Sequence, residues 1–583
     1  MNTLIVSIII LVWFALAYFF YGRFIAGALV KPDNGNATPS HLLNDGLDYS
    51  PSKRRFLWGN HFASIAGAGP IIGPIVAISY FGWGPTLLWV AIGAVFMGAV
   101  HDYLALMMSV RHQGRGISEL ASLTVGRAAA AMFAIMLYFV LVLLIAVFMV
   151  SVAHALINMP ALVIPTFGLV GVAVLLGLAL ERWRIPELIA SPLAVFLAYF
   201  LIWVGYHLPI SLPAFLGEQG VMAVWLVVLA AYCLLASVAP MWLLLKPRDF
   251  ISGIKLAVGM LLGFAAILVV QPAINAPFHE GVLVSHGKPL WPILFILVAC
   301  GAISGFHAIV STGTTARQLD RESDGRPIAF GGMLMEGALA LLVIMVVSAG
   351  LKWGEAPAGL GAEAANHYFA TALSKGWIVA FGSGFGHVVS ALEIPVLTAG
   401  IAALLGAVMV KSFILTTLDA GTRLARFLIN ESLGKKIPVL GGLWIASALV
   451  LAPAFLLALT NTYSQVWKLF GAANQLIAAV TLLTITALLA TKNLPRRYTL
   501  APAVFMLVTT SAALLWEMFS PKSGYFTGPQ PDWYLGGIAA VLIILESVVV
   551  FKSWQAIQAA KTPAVPSEPT GLQVERTGHK LAL

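Results

Sequence analysis

The stretch that decides the fold is Phe62–Pro74, which reads FASIAGAGPIIGP. It lies in a segment apolar enough to enter a lipid bilayer, yet five of its residues weaken or break a helix. These are Gly67, Gly69, Pro70, Gly73 and Pro74. Proline has no N–H group and its ring clashes with a carbonyl one turn back, and in hydrocarbon every freed backbone group must find a partner. The stretch therefore predicts an interrupted helix of the kind that forms substrate sites in secondary transporters.

The composition confines the chain to a membrane. Of its 583 residues, 60% are hydrophobic and 10% charged, whereas soluble proteins carry about 25% charged residues. The net charge of +9 does not indicate a nucleic-acid partner, because the basic residues lie in short loops between apolar runs. Cys233 and Cys300, the only cysteines, lie in apolar segments. We therefore expect no disulfide, no metal site and no cofactor.

Apolar runs of about 20 residues predict about fifteen transmembrane helices. They lie near 3–22, 58–81, 86–110, 128–157, 164–180, 189–206, 222–245, 254–275, 290–312, 329–350, 390–416, 438–460, 469–490, 499–517 and 535–551. With the N-terminus outside, 27 Lys and Arg residues fall on the inner side and 5 on the outer side. This asymmetry predicts an outer N-terminus and a cytoplasmic C-terminus. The weaker apolar stretch 377–389 predicts part of an outer loop or a re-entrant segment.

The domain organisation is simple. We expect one transmembrane transporter domain over 1–560, in which 438–555 supplies the C-terminal helices. The proline-containing stretch 561–583 predicts a disordered cytoplasmic tail.

The ninth span contains a second interrupted stretch, Cys300–Thr315, which reads CGAISGFHAIVSTGTT. Glycine and serine are common where membrane helices pack closely, so packing is one interpretation. His307 and five hydroxyl side chains in the same stretch favour a cavity lining. The second and ninth spans are seven apart, so they cross in opposite directions, as in an inverted repeat. A five-helix and a seven-helix repeat both fit the spacing.

The two stretches supply the predicted substrate-binding residues. Half-helix N-termini would present N–H groups and the positive end of the helix dipole to a substrate carboxylate. Asn474 and Gln475 in the thirteenth span would add polar or gate contacts. The full predicted set is Gly67, Ala68, Gly69, Pro70, Gly73, Gly301, Ser304, Gly305, His307, Ser311, Thr312, Asn474 and Gln475.

Ionisable residues inside the predicted spans form a second set. A charge at membrane depth costs about 2.5–3.5 kcal/mol on insertion scales, and such residues tend to be functional. We predict one network near His307 in the inner half of the membrane, in which protons bind and Lys411 is a charge partner. Its members are His101, Asp102, Glu336, Lys411 and Asp419.

Each of these residues also has a structural interpretation. Asp102 could pair with Arg111, and Glu336 could lie at the membrane interface. Lys411 could extend toward the cytoplasm. Asp419 precedes Arg423 by four residues, the spacing of a local helical ion pair. His61 could be interfacial.

Several longer motifs resemble the carbon starvation protein A family. They are GNHFASIAGAGPIIGP (59–74), HDYLALMMSVRHQGRGISEL (101–120), LLLKPRDFIS (243–252), CGAISGFHAIVSTGTT (300–315), GGMLME (331–336), FILTTLDAGTRLARF (413–427) and LFGAANQL (469–476). The region 58–430 is the most family-specific. The resemblance implies an inner-membrane permease of the amino acid–polyamine–organocation (LeuT-like) superfamily. It also implies uptake of pyruvate and peptides under nutrient limitation, driven by protons.

The leading hypothesis is therefore proton-coupled uptake of pyruvate or short peptides by a non-enzymatic, all-α polytopic membrane protein with two interrupted helices. Its expected partners are a small-molecule substrate and membrane lipid, and sodium coupling stays open. The sequence does not indicate an oligomeric state. One alternative is a redox subunit with His101 and His307 as haem ligands, and another is a passive channel. A hydrolase is disfavoured because the chain has no HExxH or GxSxG motif.

Overall fold

The computed structural model describes residues 2–559 except 46–48, 282–283, 286, 355, 358–364, 366, 435–436 and 461–462. The predicted tail at 561–583 lies outside the described residues. Within the described part of the chain, 14 helices are long and apolar enough to cross a membrane. The ninth predicted span is not among them, because it is divided into two short halves.

The helices follow one another with short connections. In chain order they are α1 (Thr3–Val30), α2 (Arg54–Ile65), α3 (Gly69–Phe81), α4 (Trp83–Val110), α5 (Arg127–Asn158), α6 (Pro160–Glu181), α7 (Glu187–His207), α8 (Gly217–Val238), α9 (Leu245–Val270), α10 (Leu290–Leu297), α11 (Gly305–Val310), α12 (Glu322–Gly350), α13 (Trp377–Ser390), α14 (Ala399–Gly434), α15 (Leu443–Thr460), α16 (Tyr463–Thr491), α17 (Arg497–Phe519) and α18 (Trp533–Ala559). Short helices lie at Pro39–Leu42, Ile117–Thr124 and Phe369–Ser374. β1 (Val284–Ser285) and β2 (Lys288–Pro289) form a small antiparallel hairpin.

The predicted all-α polytopic architecture with two interrupted helices is confirmed. The second span consists of α2 and α3, and the ninth consists of α10 and α11. Several span boundaries differ from the prediction, by up to nine residues at the start of the eighth span and more at the end of the eleventh. The eleventh span begins at Ala399 rather than at 390 and continues to Gly434, so Asp419 lies inside it. The stretch near 377–389 forms α13, whose 14 residues are too few to cross a bilayer.

The bundle has a buried centre and a lipid-facing periphery. α4, α5, α12, α14 and α16 are largely buried, whereas fewer than half of the residues of α1, α7, α8 and α15 are buried. Helices that are apolar on all sides lie either in a protein interior or in a membrane. The first group lies in the interior of the bundle, and the second has surface that lipid can cover.

The two interrupted spans pack in a reciprocal way. α2 and α3 of the second span pack against α12 of the tenth, and α11 of the ninth packs against α4 of the third. Each interrupted span thus contacts the helix that follows the other one. This reciprocal arrangement is that of an inverted repeat.

Candidate functional site

The first interruption is three residues long. α2 ends at Ile65, the non-helical residues are Ala66–Ala68, and α3 begins at Gly69. The gap therefore precedes the prolines rather than falling on them. Pro70 occupies the first turn of α3, where its missing N–H group costs nothing, and Pro74 lies inside the helix.

Glycines in this stretch permit close contact between the two interrupted spans. A methyl group at Gly69 would lie 2.3 Å from Cys300 Sγ, and one at Gly73 would lie 2.5 Å from the Leu297 carbonyl oxygen. Gly301 faces the Cα atom of Pro70 from the other side. These three glycines therefore allow close packing of the two spans, as the packing interpretation predicts. That they also contact substrate stays a prediction.

Gly67 has a different neighbour. A methyl group there would lie 2.7 Å from Thr417 Oγ1 on α14. Sequence reasoning missed Thr417, since threonines are common in membrane helices and nothing local marks this one. Ala68 precedes α3, and its carbonyl accepts hydrogen bonds from the N–H groups of Ile71 and Ile72. Ala68, as the residue before α3, makes no side-chain cap hydrogen bond.

The second interruption leaves backbone carbonyl and N–H groups without helical partners. Three side chains form hydrogen bonds with these groups. Gln475 Nε2 donates to the Phe295 carbonyl at 2.5 Å, and Trp89 Nε1 donates to the Val298 carbonyl at 3.1 Å. On the other side of the gap, Asn474 Oδ1 accepts the Phe306 N–H at 2.8 Å. These bonds supply the partners that a break inside a membrane requires.

Asn474 also fixes the residues of the gap. Its Nδ2 atom donates to Ser304 Oγ at 3.0 Å. A methyl group at Gly305 would lie 2.3 Å from the Asn474 carbonyl oxygen, so α16 packs directly on the start of α11. Asn474 and Gln475 are thus brought to the interruption as predicted, but they bind the protein's own backbone there.

A turn of π-helix, Ser311–Thr315, follows α11. Thr312 Oγ1 donates to the Ala308 carbonyl and accepts the Ile117 N–H at 3.1 Å. Ser311 is buried, and its hydroxyl has no hydrogen-bond partner among the described residues. The Thr312 hydroxyl is therefore used in hydrogen bonds within the protein. The Ser311 hydroxyl is not, among the described residues.

Four ionisable residues come together beside the second interruption. Asp102 on α4 accepts hydrogen bonds from His101 Nδ1 at 2.7 Å and from His307 Nδ1 at 2.8 Å. The other ring nitrogen of His307 lies 3.1 Å from Glu336 Oε2 on α12. All four side chains are 0% exposed. We call these residues the His–Asp–His–Glu cluster.

This arrangement excludes several structural interpretations. Arg111 bonds the Glu322 carboxylate at 2.9 and 3.1 Å instead of Asp102, and this bonding raises the pKa of the Arg111 guanidinium. Glu336 is buried rather than interfacial. The haem alternative is disfavoured as well, because both ring nitrogens of His307 face carboxylates and neither is left for an iron.

His61 lies next to the cluster rather than at the membrane interface. It is buried, and its Nδ1 atom is 2.8 Å from Thr315 Oγ1. It is within electrostatic reach of Asp102 and His307, and its Nε2 atom has no hydrogen-bond partner among the described residues. The sequence signal for His61 was its position in α2, shortly before the first interruption.

Lys411 and Asp419 do not join the cluster, so the prediction of one network is wrong. Asp419 Oδ2 accepts hydrogen bonds from Arg248 and from Tyr232. Lys411 Nζ donates to Thr166 Oγ1 and is fully buried, so it does not extend to the cytoplasm. The rotation of α14 about its axis explains this. It directs Lys411 toward α6 and Asp419 toward α8 and α9, whereas the cluster lies on α4, α11 and α12.

A second buried group of charges results. Arg248 pairs with Asp419 and also with Asp249, at 2.5 Å. Lys255 Nζ donates to Ser412 Oγ at 2.6 Å. This group joins α9 to α14, and breaking such a buried pair is strongly destabilising.

Two large grooves lie beside α2, the half-helix before the first interruption. Their volumes are about 800 and 870 Å³, and they share Leu11, Arg55, Trp58 and Met335 in their linings. Neither lining includes a predicted site residue. Both are lined by α1, α2 and α12, and the first is also lined by α9, from Lys246 to Phe264.

Comparisons with known proteins identify the family. Residues 2–367 and 351–513 match the family model described as carbon starvation protein CstA. The chain is 31% identical to "Peptide transporter CstA" of Bacillus subtilis (strain 168), over 97% of this chain and 99% of that one. It is 30% identical to "Pyruvate/proton symporter BtsT" of Escherichia coli (strain K12), over 89% of this chain and 81% of that one.

Among solved structures, MhsT in complex with L-phenylalanine matches with a TM-score of 0.47 and 11% identity, over 88% of this chain and 99% of that one. The family model and the alignment with the Bacillus subtilis relative both cover the two interrupted spans, where several of the family-like motifs lie. The chain belongs to the carbon starvation protein CstA family.

Proposed function

We propose that this protein is a secondary active transporter that couples the entry of protons to the uptake of pyruvate or short peptides. The names of its relatives, a peptide transporter and a pyruvate/proton symporter, support this substrate class and this coupling ion. The single observation that carries the mechanism is the His–Asp–His–Glu cluster, which places four buried ionisable groups beside the second interruption.

The cluster can hold one exchangeable proton between His307 Nε2 and Glu336. An ionised carboxylate only accepts hydrogen bonds, so Asp102 fixes an N–H group on the Nδ1 atoms of both histidines. If His307 Nε2 and Glu336 then share one proton, the cluster carries one net negative charge. A second proton gives a protonated His307 beside a neutral Glu336, and the cluster becomes neutral.

This difference couples protonation to conformation. A buried net charge is costly, whereas a neutral, hydrogen-bonded group is tolerated. The closed arrangement, in which the cluster is fully buried, therefore favours the protonated form. A water-exposed arrangement releases the proton, and the direction of release follows the gradient.

The position of His307 links the proton to the second interruption. His307 lies in the first turn of α11, directly after the gap, whereas Asp102 and Glu336 lie on the continuous helices α4 and α12. A displacement of α11 relative to α4 would lengthen the bond from His307 to Asp102. Proton binding and movement of the half-helix would then depend on each other.

The substrate carboxylate is assigned to the start of α3. Asn474 already caps α11, whereas Ala68, the residue before α3, makes no side-chain cap hydrogen bond. Pro70 has no N–H group, and Ile71 and Ile72 donate to the Ala68 carbonyl, so α3 offers an anion the N–H group of Gly69 and the positive end of the helix dipole. Thr417 and Ser304 lie beside this position. Because Cys300, in the gap between α10 and α11, contacts Gly69, this gap would have to move away from α3 before a substrate enters.

The membrane orientation follows the charge asymmetry of the loops. The proposal places the N-terminus outside and the C-terminus in the cytoplasm of an inner-membrane protein, with lipid against the peripheral helices. Sodium is the competing coupling ion, and the transport experiment includes it.

The test is uptake of labelled pyruvate and of a labelled dipeptide into proteoliposomes, with and without an inward proton gradient and with a sodium gradient as comparison. Accumulation above equilibrium under the proton gradient is expected for at least one of the two substrates. Accumulation of neither under any gradient would overturn the proposal. Flux that neither saturates nor depends on a gradient would instead indicate a passive channel.

A further inference from the structure

A branched groove on the surface of the bundle runs beside α2. Its two branches are the grooves of about 800 and 870 Å³, which share Leu11, Trp58 and Met335 in their linings. Met335 is 37% exposed, and Leu261 in the first branch is 71% exposed. The groove therefore opens onto apolar surface that lipid can cover.

The second branch runs lengthwise between α1 and α12. A methyl group at Gly331 would lie 3.4 Å from the Tyr18 ring, and one at Gly337 would lie 2.9 Å from the Phe14 ring. The two helices are therefore antiparallel along the branch. The lining residues of α12 lie within 327–338, a rise of about 16 Å at about 1.5 Å per residue. This length is about half of a hydrocarbon core of about 30 Å, which is the depth of one lipid leaflet.

Basic side chains line the groove where it reaches the start of α2. Lys53, Arg54 and Arg55 line the second branch, and Arg55 and Lys246 line the first. Arg54 is within electrostatic reach of Asp324. Lys53, Arg55 and Lys246 are exposed, and none of them forms an ion pair within the described part of the chain. Their charges are therefore available to a ligand.

The acidic side chains do not cancel this charge. Among the described lining residues, four are basic and Asp249 is the one acidic side chain. Asp249 is already paired with Arg248 at 2.5 Å. The Arg326 guanidinium lies over the Tyr18 ring at 5.0 Å, which adds a positive charge at the same end of the second branch. The groove thus combines a positively charged end with a long apolar lining.

We propose that this groove binds an anionic phospholipid, with the phosphate beside Arg55 and Lys246 and the two acyl chains along the two branches. Basic pockets between membrane helices bind anionic lipid headgroups. A protein or peptide partner suits the groove less well, because its apolar lining belongs to the membrane-spanning parts of α1, α9 and α12. The bound lipid would pack against α2, the half-helix before the first interruption. This inference does not rest on the proposed transport function.

Trp58 can report the occupancy of the groove because it lines both branches. The full-length protein is reconstituted in phosphatidylcholine that contains increasing fractions of phosphatidylglycerol with brominated acyl chains, which quench nearby tryptophans. The difference between wild type and Trp58→Phe gives the signal of Trp58. Brominated phosphatidylcholine is the neutral comparison lipid. Each basic residue near the membrane surface favours an anionic lipid by about fivefold, so half-quenching should need a mole fraction of brominated phosphatidylglycerol that is lower by about fivefold or more.

Trp203 is the matched control for position. It is 49% exposed on α7 and lies outside both linings. The difference between wild type and Trp203→Phe should show equal quenching by the two brominated lipids. Equal half-quenching fractions at Trp58 would overturn the proposal.

The charges are tested by the double variant Arg55→Gln/Lys246→Gln. We expect the preference of Trp58 for phosphatidylglycerol to fall by about fivefold or more. Lys492→Gln removes an exposed basic residue directly after α16, and it should leave the preference unchanged. An unchanged preference in the double variant would refute the assigned phosphate position. Thermal unfolding identifies a variant that has lost its fold, in which case Arg55→Gln and Lys246→Gln are measured singly.

Discussion

Asp102 on α4 and His307 on α11 are joined by a hydrogen bond of 2.8 Å between Oδ2 and Nδ1, inside a fully buried site. One partner belongs to a continuous helix and the other to the half-helix after the second interruption. The bond therefore crosses the boundary between a fixed and an interrupted element. Glu336 lies on the opposite side of the same imidazole, at 3.1 Å from Nε2.

The first prediction concerns Glu336→Gln. The amide keeps the size of the side chain but cannot gain or lose a proton, so residue 336 can no longer share a proton with His307 Nε2 or carry it away. We expect exchange of labelled for unlabelled substrate to continue while accumulation driven by the proton gradient is lost. Both are measured in the same proteoliposomes.

Glu546→Gln is the matched control. Glu546 is a second buried carboxyl group within a spanning helix, and its Oε1 atom accepts a hydrogen bond from Ser511 at 2.8 Å. It lies on α18, away from both interruptions. Gradient-driven accumulation should be retained in this variant, and unchanged accumulation in Glu336→Gln would remove Glu336 from the mechanism.

The interruptions and the buried charges were predictable because their signals are local. Gly and Pro inside an apolar run reveal a broken helix, and Asp102 and Glu336 stand out in apolar spans. Which charges meet was not predictable in the same way. Asp419 meets Arg248, which lies 171 residues away, and that contact depends on the rotation of α14 about its axis.

The role of Asn474 was only partly predictable for a similar reason. A polar pair, Asn474 and Gln475, in an apolar helix indicates a polar neighbour, and the second interruption is that neighbour. Whether the pair binds substrate or backbone depends on the position of α16 relative to α10 and α11. Only the tertiary structure shows that carbonyl and N–H groups on both sides of the gap are its partners.

The second prediction follows from the cap that Asn474 provides. Asn474→Ala removes the acceptor of the buried Phe306 N–H. Loss of a cap costs about 0.5–2 kcal/mol, and an unsatisfied buried donor costs about 1–3 kcal/mol. We expect a lower thermal unfolding temperature in detergent and slower uptake. Thr481→Ala on the same helix removes a hydroxyl without a hydrogen-bond partner among the described residues, and it should change neither.

The third prediction separates the two buried groups of charges. Lys411 bonds Thr166 and lies outside the His–Asp–His–Glu cluster, so Lys411→Met should keep gradient-driven accumulation. Replacing a buried charge by an apolar side chain of similar volume is often neutral or stabilising, so the unfolding temperature should not fall. If Lys411→Met lost gradient-driven accumulation but retained substrate exchange, the prediction would be contradicted. Lys411 would then have a role in proton coupling.

The fourth prediction tests the contact between the two interrupted spans. In Gly69→Ala the new methyl group would meet Cys300 Cβ and Sγ at 2.3 Å. Overpacking costs about 1–3 kcal/mol, and here it would also separate α3 from the gap between α10 and α11. Gly171→Ala is the control, because a methyl group there has no neighbour within 4 Å and replacing a helical glycine stabilises by about 0.5–1 kcal/mol. We expect Gly69→Ala to unfold at a lower temperature and to transport more slowly, and Gly171→Ala to do neither. If Gly69→Ala were as stable and as active as the control, Gly69 and Cys300 could not be in the close contact that closes the proposed substrate position.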